Sequence, residues 1–75
     1  MTYLQAAGAL LGGADLEETL NAYRDTEYRA AVEVLSSKRN QLSYQQVQAE
    51  LADMLDFIEE MAGKLVAQIE DFRHV

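Results

Sequence analysis

The chain has 75 residues, with no Cys, no Pro and one His, and 13 acids against six bases give it a formal net charge of -7. That length allows one domain and one core, and the charge sets the surface against nucleic-acid phosphates and anionic membranes. Without Cys or a Cys/His cluster, neither a disulfide nor a structural zinc can staple the fold.

By size scaling, the unfolded chain exposes about 12,000 Å² and the folded one about 4,600 Å². Burying the apolar part of that difference at about 25 cal/mol/Å² supplies on the order of 110 kcal/mol. Ordering the residues at about 1.5 kcal/mol each removes as much. Self-association is the remaining common route to a stable fold, so a homodimer is expected.

Ala, Leu, Glu and Gln dominate and β-branched residues are sparse, which favours helix throughout. Residues 1 to 14, MTYLQAAGALLGGA, carry no charged side chain. No basic region precedes this apolar stretch, so it does not read as a signal peptide, and it is too short to span a membrane. The pattern predicts a short helix and a Gly-Gly turn over 1–13, with Tyr3, Leu4, Ala7, Leu10 and Leu11 on one stripe. Gly8 and Gly12 stand four apart, a spacing suited to a close helix crossing.

Asp15 offers an N-cap, and Glu17 and Glu18 place acids in the first turn, where the helix dipole favours them. A helix is predicted over 15–40. Leu16, Leu20 and Tyr23 share one face, whereas Tyr28, Ala31, Val32 and Leu35 fall about a quarter-turn around from it. Either this helix is rotated against its partner or it breaks near Asp25-Thr26. Lys38 and Arg39 suit its C-terminus, and Asn40 can take left-handed geometry.

Ser43 and Gln46 have the spacing of a capping box, with Leu42 and Val47 placed as a hydrophobic staple. From there Tyr44, Leu51, Ile58, Leu65 and Phe72 recur every seven residues, with Val47, Met54 and Met61 between them. Leu55, Ala62 and Ile69 widen the stripe. One amphipathic helix is predicted over 43–73, passing through Gly63, which lies opposite the stripe and costs about 1 kcal/mol relative to Ala. The short connection makes the two long helices antiparallel neighbours. The fold class is therefore all-α: an antiparallel helical hairpin with a short N-terminal helix, a single domain over 1–75, completed as a bundle by a second copy.

The inventory for chemistry is thin. His74 stands at a chain end where fraying would spoil the geometry of a general base. Glu70 or Asp71 with His74 supplies one carboxylate–imidazole pair, whereas a di-iron bundle needs two such motifs and two further glutamates. Gly12-Gly13 precedes a helix N-terminus, but Asp15, Glu17 and Glu18 fill that field with negative charge. No enzyme activity, cofactor or metal is expected, nor direct nucleic-acid binding.

Two features stand out. Glu50, Asp53, Asp56, Glu59 and Glu60 form a run of acids with no base between Asn40 and Gly63. The apolar row of Tyr44, Leu51, Met54, Ile58, Met61, Leu65 and Phe72, broadened by Leu55, Phe57 and Ile69, is wider than one short helix covers. Together they point to a cytoplasmic protein-protein interaction module, a small adaptor, chaperone-like subunit or inhibitor that occupies a partner's surface. The alternative is an acidic nucleic-acid mimic, of the kind a phage or plasmid directs against a basic host defence enzyme.

Overall fold

The computed structural model describes residues 1–73, which form helices α1 (Tyr3–Leu11), α2 (Leu16–Lys38) and α3 (Tyr44–Arg73) and no strand. Each helix begins where a side chain replaces a missing backbone partner. At α1, Thr2 Oγ1 accepts from Gln5 N (3.2 Å) and Gln5 Oε1 accepts from Thr2 N (2.9 Å). Asp15 Oδ2 accepts from Glu18 N at 3.0 Å to start α2. Ser43 and Gln46 repeat the reciprocal pattern at α3, at 3.2 and 2.9 Å. The Thr2 box has the same residue spacing as the Ser43 box and was equally readable in the sequence.

The turns decide how the helices meet. After Leu11 the chain reverses through Gly13, whose φ of +97° only glycine adopts at little cost. Between α2 and α3, Gln41 N donates to Lys38 O at 2.8 Å, and no non-glycine residue has positive φ. Asn40 therefore does not take the left-handed cap geometry expected of it. The turn closes by that backbone bond instead. α2 runs unbroken through Asp25-Thr26, where Thr26 Oγ1 donates back to Ala22 O at 3.0 Å and no new cap forms. Gly63 lies exposed within an uninterrupted α3.

α1 lies against the first half of α2 and the last half of α3. Ala6 and Leu10 enter a core made with Leu20, Tyr23, Ala62, Leu65 and Ile69. Tyr3 meets the edge of Tyr23 at 6.2 Å and 77° between rings, and its hydroxyl donates to Gln68 Oε1 at 2.7 Å. The expected stripe on α1 is only partly buried. Leu4 is 81% and Leu11 52% exposed; they stand seven apart on an edge about 100° around the helix from Leu10. Gly8 faces outward with nothing within 4 Å of an added Cβ, so it makes no close crossing.

Beyond α1, the hairpin is two helices wide. Ala31, Leu35 and Ile58 are buried in its seam, outside the three-helix core. This explains the rotation of the apolar face along α2: its first half faces both α1 and α3, its second half α3 alone. The molecule is a rod of 49 × 16 × 16 Å with a radius of gyration of 14.8 Å, against about 11 Å for a compact chain of this length. Its accessible surface is 5464 Å², above the roughly 4,600 Å² expected for its mass.

Ile58→Asp should unfold or dissociate the protein, because a carboxylate at this 3%-exposed position is buried without a partner and costs more than about 3 kcal/mol. Asp56→Lys, on the exposed face, should change stability by less than about 0.5 kcal/mol. Circular dichroism melts of the two variants check this, and similar losses would mean that the buried face is misassigned. In the same assay, Gly63→Ala should raise stability by up to about 1 kcal/mol, since an added Cβ meets nothing there.

Candidate functional site

The uncovered half of the hairpin presents an apolar groove on each flank of its seam. The first, about 340 Å³, is walled by Glu27, Ala30, Ala31 and Val34 of α2 and by Asp53, Met54, Phe57 and Ile58 of α3. Phe57 is 58% exposed and Val34 42%. The second groove, about 230 Å³, is lined by Val32, Leu35, Ser36 and Arg39 of α2 and by Val47 and Leu51 of α3. It has no carboxylate in its lining.

Helical phase places the first groove on the flank that α1 covers. On α2, Leu16, Tyr23 and Ala30 form one seven-residue row, and Leu20, Glu27 and Val34 another. The early members of both rows pack with α1, and the late ones line the groove. On α3, Met61 packs beside the α1 core and Met54, seven residues earlier, lines the groove. Met1 marks the boundary, its amine donating to Thr26 Oγ1 at 2.6 Å, one residue before Glu27. Burial pushes the Tyr23 hydroxyl pKa up, and the charge of Glu27 adds to the effect.

Of the acidic run, Asp53, Asp56 and Glu60 are exposed along one face of α3, and Glu59 turns toward α2. Glu59 accepts from the Tyr28 hydroxyl at 2.7 Å and from Arg24 Nη2 at 3.3 Å. Arg24 Nε lies 3.0 Å from Glu59 Oε1, yet its N–H makes no aligned hydrogen bond. The Tyr28 hydrogen bond, aided by the Arg24 charge, holds the Glu59 carboxyl below the usual glutamate range, and the same bond raises the Tyr28 pKa. Glu60 pairs loosely with Lys64 at 3.9 Å. Asp53 lines the first groove. Glu50, a turn earlier, is half-buried, and its Oε2 is buried without a hydrogen-bond partner among the described residues. Asp56 points to solvent on the outer face.

The apolar row divides similarly. Ile58 and Leu65 are buried, and Leu51, Met54 and Met61 are half-buried. Tyr44 and Phe72 are 78% and 65% exposed. α3 has 30 residues and α2 has 23, so the ends of α3 overhang its partner. The groove residues that the sequence reading passed over are Glu27, Ala30 and Val34; the seven-residue rows from Leu16 and Leu20 carried that signal.

No group of three metal-capable side chains occurs among the described residues, and the pairing of His74 with Glu70 or Asp71 lies outside them. No helix among them is long and apolar enough to cross a membrane. Set against protein-family models, curated proteins and solved structures, the chain matches none.

Tyr28→Phe should move the Glu59 pKa up toward the ordinary glutamate value, read by carboxyl ¹³C NMR titration. A carboxyl whose folded pKa is depressed contributes stability above its unfolded pKa and loses it as pH falls through the folded value. The wild-type pair should therefore weaken on acidification below the ordinary glutamate range. The effect is small because Glu59 is exposed to solvent and salt. An unchanged Glu59 titration in Tyr28→Phe would mean that this hydrogen bond does not set it.

Proposed function

We propose that the chain is a non-enzymatic protein-interaction module, a small adaptor, chaperone-like subunit or inhibitor, that works as a homodimer and acts by occupying a partner's surface. The observation that carries this reading is the half of the hairpin that α1 leaves bare, with Val32, Val34, Leu55 and Phe57 exposed beside the seam. The surface in excess of that expected for a chain of this mass is on the order of 850 Å². One partner in a standard protein-protein interface contributes about 800 Å².

The second groove suits a second copy. Each chain carries a net charge of -7, so two copies repel least where the rim holds no carboxylate. Val32, Val47 and Leu51 supply apolar surface there, and covering it adds hydrophobic stabilisation at about 25 cal/mol/Å². The nucleic-acid-mimic reading gains no such support. A mimic needs a continuous row of free carboxylates, and here Glu59 is held by Arg24 and Glu60 lies 3.9 Å from Lys64, while Asp53 lines a groove with an apolar floor.

Sedimentation equilibrium should show a dimer at micromolar concentration. Val32→Glu should give a monomer of unchanged helicity, because Val32 is 55% exposed in the single chain and such surface changes alter folding by less than about 0.5 kcal/mol. A wild-type monomer whose melting temperature is independent of concentration would sink the dimer.

A further inference from the structure

We infer that the first groove receives one amphipathic helix of a partner protein, apolar along a single stripe and bearing Lys or Arg on the edges of that stripe. This rests on the reading of the hairpin as a docking module. It adds the chemistry of the partner.

α1, which carries no charged side chain, shows how the apolar stripe of a helix seats on this flank. α1 seats Ala6 and Leu10, one turn apart, between α2 and α3, with Tyr3 and Ala7 packed beside them. The same flank then continues past Thr26 as the open groove, its floor apolar at Ala30, Val34, Met54 and Phe57. From Glu27 to Val34 it runs about 10 Å along α2, the reach of roughly two helical turns. A helix laid in line with α1 meets the same kind of wall that α1 meets.

Charge separates this partner from a second copy. Glu27 stands on the α2 wall and Asp53 on the α3 wall, with Glu50 a turn away and one of its oxygens buried without a partner. The ion pairs among the described residues use Glu59, Asp25 and Glu60, and none uses Glu27, Glu50 or Asp53. A cationic edge gives these carboxylates partners and steers the approach. A second copy would bring the same three acids against them.

The test uses the 75-residue chain and two fluorescein-labelled helical peptides of about 14 residues, long enough to extend past both ends of the groove. Both carry Leu at i, i+3, i+4 and i+7. One has Lys along the edges of that stripe and the other has Glu at the same positions. The Lys peptide should bind at least about tenfold more tightly by anisotropy, with affinity falling as salt rises. Phe57→Ser and Val34→Ser leave the charge unchanged, and each should weaken the Lys peptide by about tenfold while retaining helicity. Glu27→Gln with Asp53→Asn should weaken it and flatten the salt dependence. Val32→Glu should leave it unchanged while dissociating the dimer, so failure of the groove and failure of the dimer are read separately.

Three results would overturn the inference. Wild-type affinity in Phe57→Ser would mean that net charge alone holds the peptide. Equal binding of both peptides would remove the basic chemistry. Loss of the dimer in Phe57→Asp but not in Val32→Glu would make the groove the interface between copies of this chain.

Discussion

A helix of nine residues cannot cover one of thirty. α1 rises about 13 Å along its axis and α3 about 45 Å, and this mismatch governs the rest of the structure. Where α1 lies, three helices enclose a core in which Leu10 and Leu65 are almost fully buried. Where it ends, two helices share one line of contact, and a two-helix seam leaves both of its flanks open. Ala31, Leu35 and Ile58 are covered there, but the residues a quarter-turn to either side are not. The chain is consequently well packed where α1 lies and bare near the α2–α3 turn. Local opening should be easiest at the bare end, where few buried apolar contacts oppose it.

Much of this was legible in the sequence because its causes are local. Ser43 with Gln46, and Asp15 ahead of Glu17 and Glu18, mark helix starts through hydrogen bonds spanning three residues. The seven-residue recurrence from Tyr44 to Phe72 reflects the pitch of a single helix and holds its phase across Gly63. Features that depend on a neighbour's length were not legible. α1 carries Leu at 4, 10 and 11, and only tertiary packing decides that Leu10 is the one to be buried. The quarter-turn shift in α2 could signal a rotation or a break. The structure resolves it as one helix passing from two partners to one, which no local propensity records. The acids of α3 divide by helical phase: Asp53, Asp56 and Glu60 share one exposed face, while Glu59 meets Arg24 and Tyr28 on the other flank.

That distribution gives the two grooves different characters although both have apolar floors. Hydrophobic burial supplies attraction without much selectivity, since one aliphatic surface covers another nearly as well as the next. Discrimination comes from what surrounds the apolar floor, and a mismatched charge pushed into a closing interface costs more than a matched one returns. The first groove is lined by Glu27 and Asp53, whereas the second is bordered by Ser36 and Arg39. On the proposed reading, a like-charged copy of this chain would be turned away from one flank and tolerated on the other. A cationic helix has the reverse preference. On the proposed reading, such sorting by charge would let a small hairpin hold a second copy on one side and leave the other free for a partner.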